Sequence, residues 1–216
     1  MKSAVIIGAG DFPRKDYPLY LAESADYVVV CDGAIRSWAR RFPLRRPDAV
    51  TGDMDSISPA LRRRFGDVLV QEDEQETNDQ SKALRLTLER FKDIDCIHIL
   101  GATGRREDHT IGNLSLLMEY ARQYGLSAES SPSLDMVSDW STAFAVTGST
   151  TLAVGEGRSI SIFSPDNSLN IKSEGLVWPT DSVVFDNWWK ATLNRSSAPL
   201  VSLTFSHPSL ALVILS

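Results

Sequence analysis

Cysteine is nearly absent from this 216-residue chain, which holds only Cys31 and Cys96. That excludes the dense disulfide framework of small secreted domains. Both cysteines fall at or within apolar, strand-like runs, which predicts buried thiols. Long apolar runs are missing too: none approaches the roughly 20 residues of a membrane-spanning helix. The stretch Ala4-Val5-Ile6-Ile7-Gly8-Ala9-Gly10 is too short for a signal-peptide core and meets Asp11 at once. It reads as a first buried strand, and a cytoplasmic location is expected. There is no basic excess, since 22 Lys and Arg stand against 28 Asp and Glu for a net charge of −6. Non-specific nucleic-acid binding needs a basic footprint, so neither a nucleic-acid nor a membrane partner is expected. A phosphorylated small molecule stays open, because local fields matter more than the total. No G-x-x-x-x-G-K-S/T segment exists, and Pro13 stands where Gly8-x-Gly10 would need its third dinucleotide-binding glycine. No His or Cys cluster has zinc spacing. Internal repeats, low-complexity tracts and Gly/Ser-rich linkers are also lacking.

What is present is an ordinary globular composition, 43% hydrophobic and 23% charged. It divides into two halves of different periodicity. In the first, apolar runs at Ala4–Ile7, Tyr27–Cys31, Ala49–Thr51, Val68–Gln71 and Cys96–Leu100 alternate with helical patterns. Ser58-Pro59 is a helix start, with Ser as N-cap and Pro at the first helical position. Leu84, Leu88 and Phe91 form one stripe on a predicted helix from Asp79. Ile111, Leu114, Met118 and Ala121 form another on a helix from about Asp108 to Tyr124, stopped by Gly125. Such alternation predicts a mostly parallel sheet covered by helices. The character changes after about Leu134. Short runs follow at Ala143–Thr147, Thr151–Val154, Ser159–Phe163, Leu169–Lys172, Ser182–Phe185, Leu200–Phe205 and Ala211–Leu215. They predict an antiparallel β-sandwich. The expected organisation is an α/β domain over residues 1–137 and a β-sandwich over residues 138–216.

Asp53 and Asp55 are the most informative pair. They follow a short apolar run and Gly52, and in an extended segment residues i and i+2 face the same side. Two like charges held together call for a proton or a cation between them, and Mg²⁺ commonly bridges carboxylates to phosphates. The other reading is a solvated turn, since Asp, Gly and Ser are ordinary turn residues. In an open parallel sheet, ligands bind beyond the carboxyl ends of the strands. There lie Gly8-Ala9-Gly10-Asp11, Asp32-Gly33, Asp53 and Asp55, the acidic run Glu72 to Glu76 with Asn78 and Asp79, and Gly101 to His109. Carboxylates could hold a cation while glycine-rich backbone and Arg105 and Arg106 hold a polyphosphate. His109 either orients a site carboxylate or caps the following helix. His98 reads as a core or edge histidine. Arg45-Arg46 and Arg62-Arg63-Arg64 read as solvated surface charge.

In order and spacing, these segments resemble the thiamine pyrophosphokinase family. The family's D-G pair stands here as Asp32-Gly33, and its G-D-F/M-D-S-I as Gly52-Asp53-Met54-Asp55-Ser56-Ile57. Its Q-x-x-T-D-x-x-K-A stands as Gln75-Glu76-Thr77-Asn78-Asp79-Gln80-Ser81-Lys82-Ala83. Its G-A-x-G-x-R-x-D-H-x-x-x-N stands as Gly101 through His109 with Asn113, and its G-L-x-W-P as Gly175-Leu176-Val177-Trp178-Pro179. Asn78 replaces a usual Thr, Arg105 a usual second glycine, and Leu193-Asn194 stands for a Ser-Asn pair. The resemblance implies Mg²⁺-dependent transfer of the diphosphoryl group of ATP to the thiamine hydroxyl, giving thiamine diphosphate and AMP. It implies Mg²⁺ on Asp53, Asp55 and Asp79 with Asp32 nearby. Asp32, Gly33, Gln75, Asn78, Lys82, Arg106 and His109 would be ATP or phosphate contacts, and Trp178 and Asn194 thiamine contacts. Asp108 is a candidate base, or else it holds Arg106 or His109. A homodimer is implied, with active sites at the subunit interface between an α/β domain and a sandwich. The exposed or internal setting of Trp188-Trp189 bears on that. Alternatives are diphosphoryl transfer to a pterin-like hydroxymethyl heterocycle, or a nucleotide-binding regulator without catalysis.

Overall fold

A computed structural model describes residues 1–216. The chain packs as two compact units. One comprises Met1–Asn113 with Met136–Asp139, the other Leu114–Asp135 with Trp140–Ser216. This differs from a cut at 137/138. Val137 packs into the core of the first unit. The Asp139 carboxylate accepts hydrogen bonds there from the backbone N–H groups of Arg14 (2.9 Å) and Lys15 (3.0 Å).

The first unit holds a parallel sheet. Its strands are β1 (Ser3–Ile7), β2 (Tyr27–Cys31), β3 (Ala49–Gly52), β4 (Leu69–Gln71) and β5 (Cys96–Leu100), in the order β5-β1-β2-β3-β4. Val5, Ile6 and Ile7 are fully buried, as are Val28, Val29 and Val30. Helices cover both faces of such a sheet, so its strands are continuous apolar runs rather than alternating ones. The helices are α1 (Asp16–Ser24), α2 (Ile35–Arg41), α3 (Pro59–Phe65) and α4 (Asp79–Arg90). α5 (Glu107–Tyr124) begins in this unit. Ser58 caps α3 as expected, its hydroxyl accepting from Leu61 N with Pro59 in the first turn. Register aligns Ile7 with both Val30 and Leu100, Cys31 with Thr51, and Gly52 with Gln71. The carboxyl ends therefore share one edge, and the direction of strand addition reverses between β1 and β5, where open sheets bind ligands.

The second unit is a two-sheet antiparallel sandwich. β7 (Thr142–Val146), β13 (Ala211–Leu215), β9 (Ser159–Phe163) and the short β11 (Asn194–Arg195) make one sheet. β8 (Thr150–Ala153), β12 (Leu200–Phe205) and β10 (Ile171–Glu174) make the other. Strict alternation puts Val201, Leu203 and Phe205 of β12 inward, against Ile160 and Ile162 of β9 and Val213 of β13.

Several expectations need correction. Ser182–Phe185 is not a strand: Val183 N donates to Thr180 O to close a turn, Phe185 is buried in the core and Val183 packs partly against it. Val68 lies in a 3₁₀ turn, so β4 starts at Leu69, and β10 starts at Ile171 rather than Leu169. β6 (Ser133–Val137) and the short helices α1 and α2 add to the expected pattern. On α5 the buried residues are Leu117, Tyr120 and Ala121, while Ile111 is exposed. Arg45 is no idle surface charge: its guanidinium bonds the carbonyls of Ala22, Glu23 and Ala25 that close α1. No helix is long and apolar enough to cross a membrane.

Candidate active site

The sheet edge of the first unit carries a buried carboxylate. Asp32 opens the turn after β2 and is 3% exposed. Its Oδ2 accepts from Met54 N at 2.9 Å. Gly52 makes room for it: a Cβ there would stand 2.6 Å from Asp32 Cγ, and its φ of +147° is itself glycine-favouring. Gly33 beside it faces Ala9 across the edge. Met54 then takes a left-handed φ of 68°, and Asp55 N donates to Asp53 Oδ1 at 3.1 Å. Thus the Asp53–Asp55 segment is not extended, and the same-side geometry expected of an i, i+2 pair does not apply. Arg62, expected as surface charge, braces this turn by donating to the carbonyls of Met54 and Ile57.

Three carboxylates lie in each other's field: Asp32, Asp53 and Asp79. Burial, with Asp79 and then Asp53 nearby, pushes the Asp32 carboxyl up to about 6. Burial raises Asp79 as well; Lys82 opposes the rise and Asp53 adds to it. Asp55 stands outside this trio and is exposed. No three His, Cys, Asp or Glu side chains stand at metal-ligand spacing in this conformation. The donor chemistry nevertheless fits a hard divalent cation. The groups are oxygen donors, they are short of positive charge, and Mg²⁺ needs only one or two carboxylates beside phosphate and water. The acidic run does not join them. Glu72 and Glu74 pair with Arg85 at 3.0 and 3.3 Å, and Thr77 holds Glu74 below the usual carboxylate range.

A cavity of about 360 Å³ opens at the β1/β5 end, lined by Gly8–Gly10, Cys31, Asn78–Gln80, Ala102, Gly104–Arg106, His109 and Asn113. Asn78 is the N-cap of α4, its Oδ1 accepting from Ser81 N at 3.0 Å. Its Nδ2 donates to Asn113 Oδ1 (2.9 Å), and Asn113 donates in turn to Ala102 O (2.8 Å). This chain joins α4, α5 and the β5 loop. The glycines serve a different end from the one expected. Gly8 N donates to Leu100 O, Gly10 N to Gly101 O and Asp11 N to Thr103 O, at 2.6–2.8 Å. A Cβ at Gly10 would meet Thr103 O at 2.4 Å. These three N–H groups are taken up by the neighbouring loop, and Arg105, Arg106 and His109 bring cationic or titratable side chains to the cavity.

The other expected site residues are placed as follows. Asp108 is exposed and held by Arg106 through Nε (3.1 Å) and Nη2 (2.5 Å), which keeps its carboxyl down at about 2. A carboxylate that weakly basic is ill-suited as a base near neutral pH; Asp108 holds Arg106 and also accepts from His109 N at 2.8 Å. Lys82 is buried, its Nζ 3.2 Å from Glu72 O and 3.9 Å from Asp79. Gln75 is exposed and donates to Asp73 O; neither it nor Lys82 lines the cavity. In the second unit, Trp178 and Asn194 line a separate hollow of about 300 Å³. Trp178 is 59% exposed and so is no core residue. Asn194 is buried and spends its amide on the Trp178 backbone, accepting from its N (3.2 Å) and donating to its O (2.6 Å). Arg105 and Leu193, where the sequence departs from the family pattern, both take left-handed φ, 62° and 57°.

Two family models match along the chain: thiamin pyrophosphokinase, catalytic domain, over residues 19–127, and thiamin pyrophosphokinase, substrate-binding domain, over residues 142–210. The chain belongs to the thiamin pyrophosphokinase family. Thiamine pyrophosphokinase 3 of Oryza sativa subsp. japonica is 35% identical over 80 residues, which are 33% of this chain and 30% of that protein. The match thus spans less than a third of that relative's length. Among solved structures, thiamine pyrophosphokinase from Bacillus subtilis has a TM-score of 0.78 at 20% identity, covering 100% of this chain and 99% of that one. Thiamin pyrophosphokinase from Candida albicans has a TM-score of 0.78 at 16% identity, covering 98% and 89%. At these identities the likeness is one of fold: parallel strands with helices first, antiparallel strands after.

The raised carboxyl of Asp32 makes a pH prediction. Its folded-state value, about 6, lies above the ordinary 3.8. The folded protein therefore binds this proton more tightly than the unfolded chain, and the group's contribution is lost as pH rises from about 4 to about 6. Asp32→Asn keeps the shape and an acceptor for Met54 N. It is expected to stabilise the protein at pH 8 by up to about 3 kcal/mol, since each pH unit between the two values is worth roughly 1.4 kcal/mol, and to do little at pH 4. Urea unfolding at the two pH values checks this; equal or lower stability of the variant at pH 8 would refute it.

Proposed function

We propose that this chain transfers the diphosphoryl group of ATP to the hydroxyl of thiamine, giving thiamine diphosphate and AMP, with Mg²⁺ as cofactor. The observation that carries this reading is the trio Asp32, Asp53 and Asp79, of which Asp79 lines the same cavity as Arg105, Arg106 and His109. It supplies carboxylates for a cation and cations for a polyphosphate, side by side in a chain of this family. Asp53 and Asp79, with Asp32 beside them, would hold the ion, which when bound offsets phosphate charge at the reacting phosphorus. Arg106 and His109 orient the phosphates, with Arg106 itself fixed by Asp108. Asn78 and Asn113 hold the α4 and α5 starts that frame the cavity. The thiamine oxygen forms the bond to the β-phosphorus, the bond to the α,β-bridging oxygen breaks, and that oxygen leaves with AMP while the hydroxyl proton is released. Trp178 presents an indole face for the cationic thiazolium, and Asn194 positions it. A homodimer with active sites at the subunit interface and a cytoplasmic location complete the reading. Exposed Trp188, Trp189 and Leu193 support the first, and two buried free thiols the second.

Incubation with ATP, Mg²⁺ and thiamine should yield equimolar AMP and thiamine diphosphate. A hydroxymethylpterin in place of thiamine should yield none. Asp53→Asn should cut turnover on the order of a thousandfold. Absence of AMP with wild-type protein, or a variant keeping a tenth of its activity, would defeat the assignment.

Trp178→Ala should raise the thiamine KM roughly tenfold, from ~1–2 kcal/mol of cation–π contact. Because the side chain is exposed, the ATP KM and the melting temperature should hardly move. An unchanged thiamine KM would remove Trp178 from the site.

Sedimentation at micromolar concentration should give twice the chain mass. An active monomer would contradict a site that needs both subunits.

A further inference from the structure

A second, smaller cleft of about 290 Å³ lies in the first unit, and its lining is unusual for a chain of net charge −6. Arg14, Arg40, Arg41 and Arg105 converge there with a single lining carboxylate, Asp11. The arginines come from three separate places: the loop after β1, the last turn of α2 and the loop after β5. Basic residues in the last turn of α2 complement its dipole. That accounts for the sign of Arg40 and Arg41, but not for Arg14 and Arg105 joining them.

Two of the four guanidiniums have a carboxylate partner and two have none. Arg105 donates to Ala9 O at 2.9 Å and stands 3.7 Å from Asp11. Arg41 reaches Glu23 at 3.4 Å on the exposed surface. The Arg14 and Arg40 side chains make no hydrogen bond or ion pair. The backbone of Arg14 is nonetheless fixed by Asp139, so its place is set while its guanidinium is left available. Ser37, on α2, adds a hydroxyl, and Phe12 and Pro13 add an apolar wall. Clefts lined by one sign of charge focus the field and concentrate counter-ions. Guanidinium forks match phosphate oxygens in pairs. The volume is at the low end for ligand sites, ~300–1,000 Å³, which suits a small anion better than a nucleotide.

We propose that this cleft is an anion site separate from the cavity at the β1/β5 edge, and that it takes a small polyphosphate, inorganic diphosphate being the simplest. Arg105 lines both hollows. Arg14 and Arg40 line only the cleft, and Arg106 only the cavity.

That division gives the test. Diphosphate is titrated calorimetrically into the full chain, metal-free and at fixed ionic strength. Wild-type protein binds it. Arg40→Glu and Arg14→Glu, each altering an exposed side chain without a partner, weaken binding at least tenfold, with circular dichroism unchanged. Arg106→Ala changes it less than about twofold. Three results overturn the proposal: no binding at millimolar diphosphate, wild-type affinity in both reversal variants, or a loss in Arg106→Ala as large as in Arg40→Glu. The titration contains no ATP, thiamine or Mg²⁺, so a failed transfer assay would leave its outcome untouched.

Discussion

The seating of Asp32 against Gly52 is the contact on which the acidic edge depends. A carboxylate 3% exposed takes the space where any larger residue at position 52 would put its Cβ, and it binds the N–H of Met54. Burying a charged group is costly unless it is paired. Here the nearest charges are two further carboxylates, so the cost rises instead of falling, and the raised proton affinity of Asp32 expresses it. The stability lost this way at neutral pH is regained by whatever brings positive charge to the edge. Strain held at a site and relieved by its ligand is a common arrangement. The fold tolerates it because β1 and β2 are buried on both faces and Arg62 ties down the turn that follows β3.

The parallel strands were legible because burial on both faces leaves a continuous apolar run, a signal that needs no knowledge of neighbours. The sandwich strands were legible from turns and short apolar runs, but Ser182–Phe185 mimicked a strand because Val183 and Phe185 pack inward while Val184 is exposed, without strand pairing. α1 and α2 escaped because nine and seven residues are too few to show a helical stripe. β6 escaped because it sits where the two periodicities meet.

At the site, residue types were legible and their geometry was not. Asp53 and Asp55 announce acidic chemistry, but the rule that i and i+2 face one side assumes extended backbone, and Met54 breaks it with a left-handed φ. The glycines of the β1 and β5 loops suggested close approach to phosphate. A glycine makes room equally well for another loop, and only the three-dimensional register shows which. Asn194 was legible only through the family's Ser-Asn pair, as a thiamine contact. That it braces the Trp178 backbone follows from a pairing of distant segments that no local pattern encodes.

Arg105 sits where these constraints meet. Its φ of 62° is a conformation that glycine adopts freely and that costs an L-residue roughly 1–2 kcal/mol. The sequence keeps that backbone and still places a long cationic side chain on it. The bond to Ala9 O and the proximity of Asp11 offset part of the cost and fix the direction of the side chain. The N–H groups of Gly8, Gly10 and Asp11, which could have cradled an anion, already donate to the carbonyls of Leu100, Gly101 and Thr103. Side chains supply what these three groups do not, and a guanidinium on a tight turn does so without opening the loop pair. Arg105 is thus explained by the same packing that removed the glycines from the role their sequence suggested.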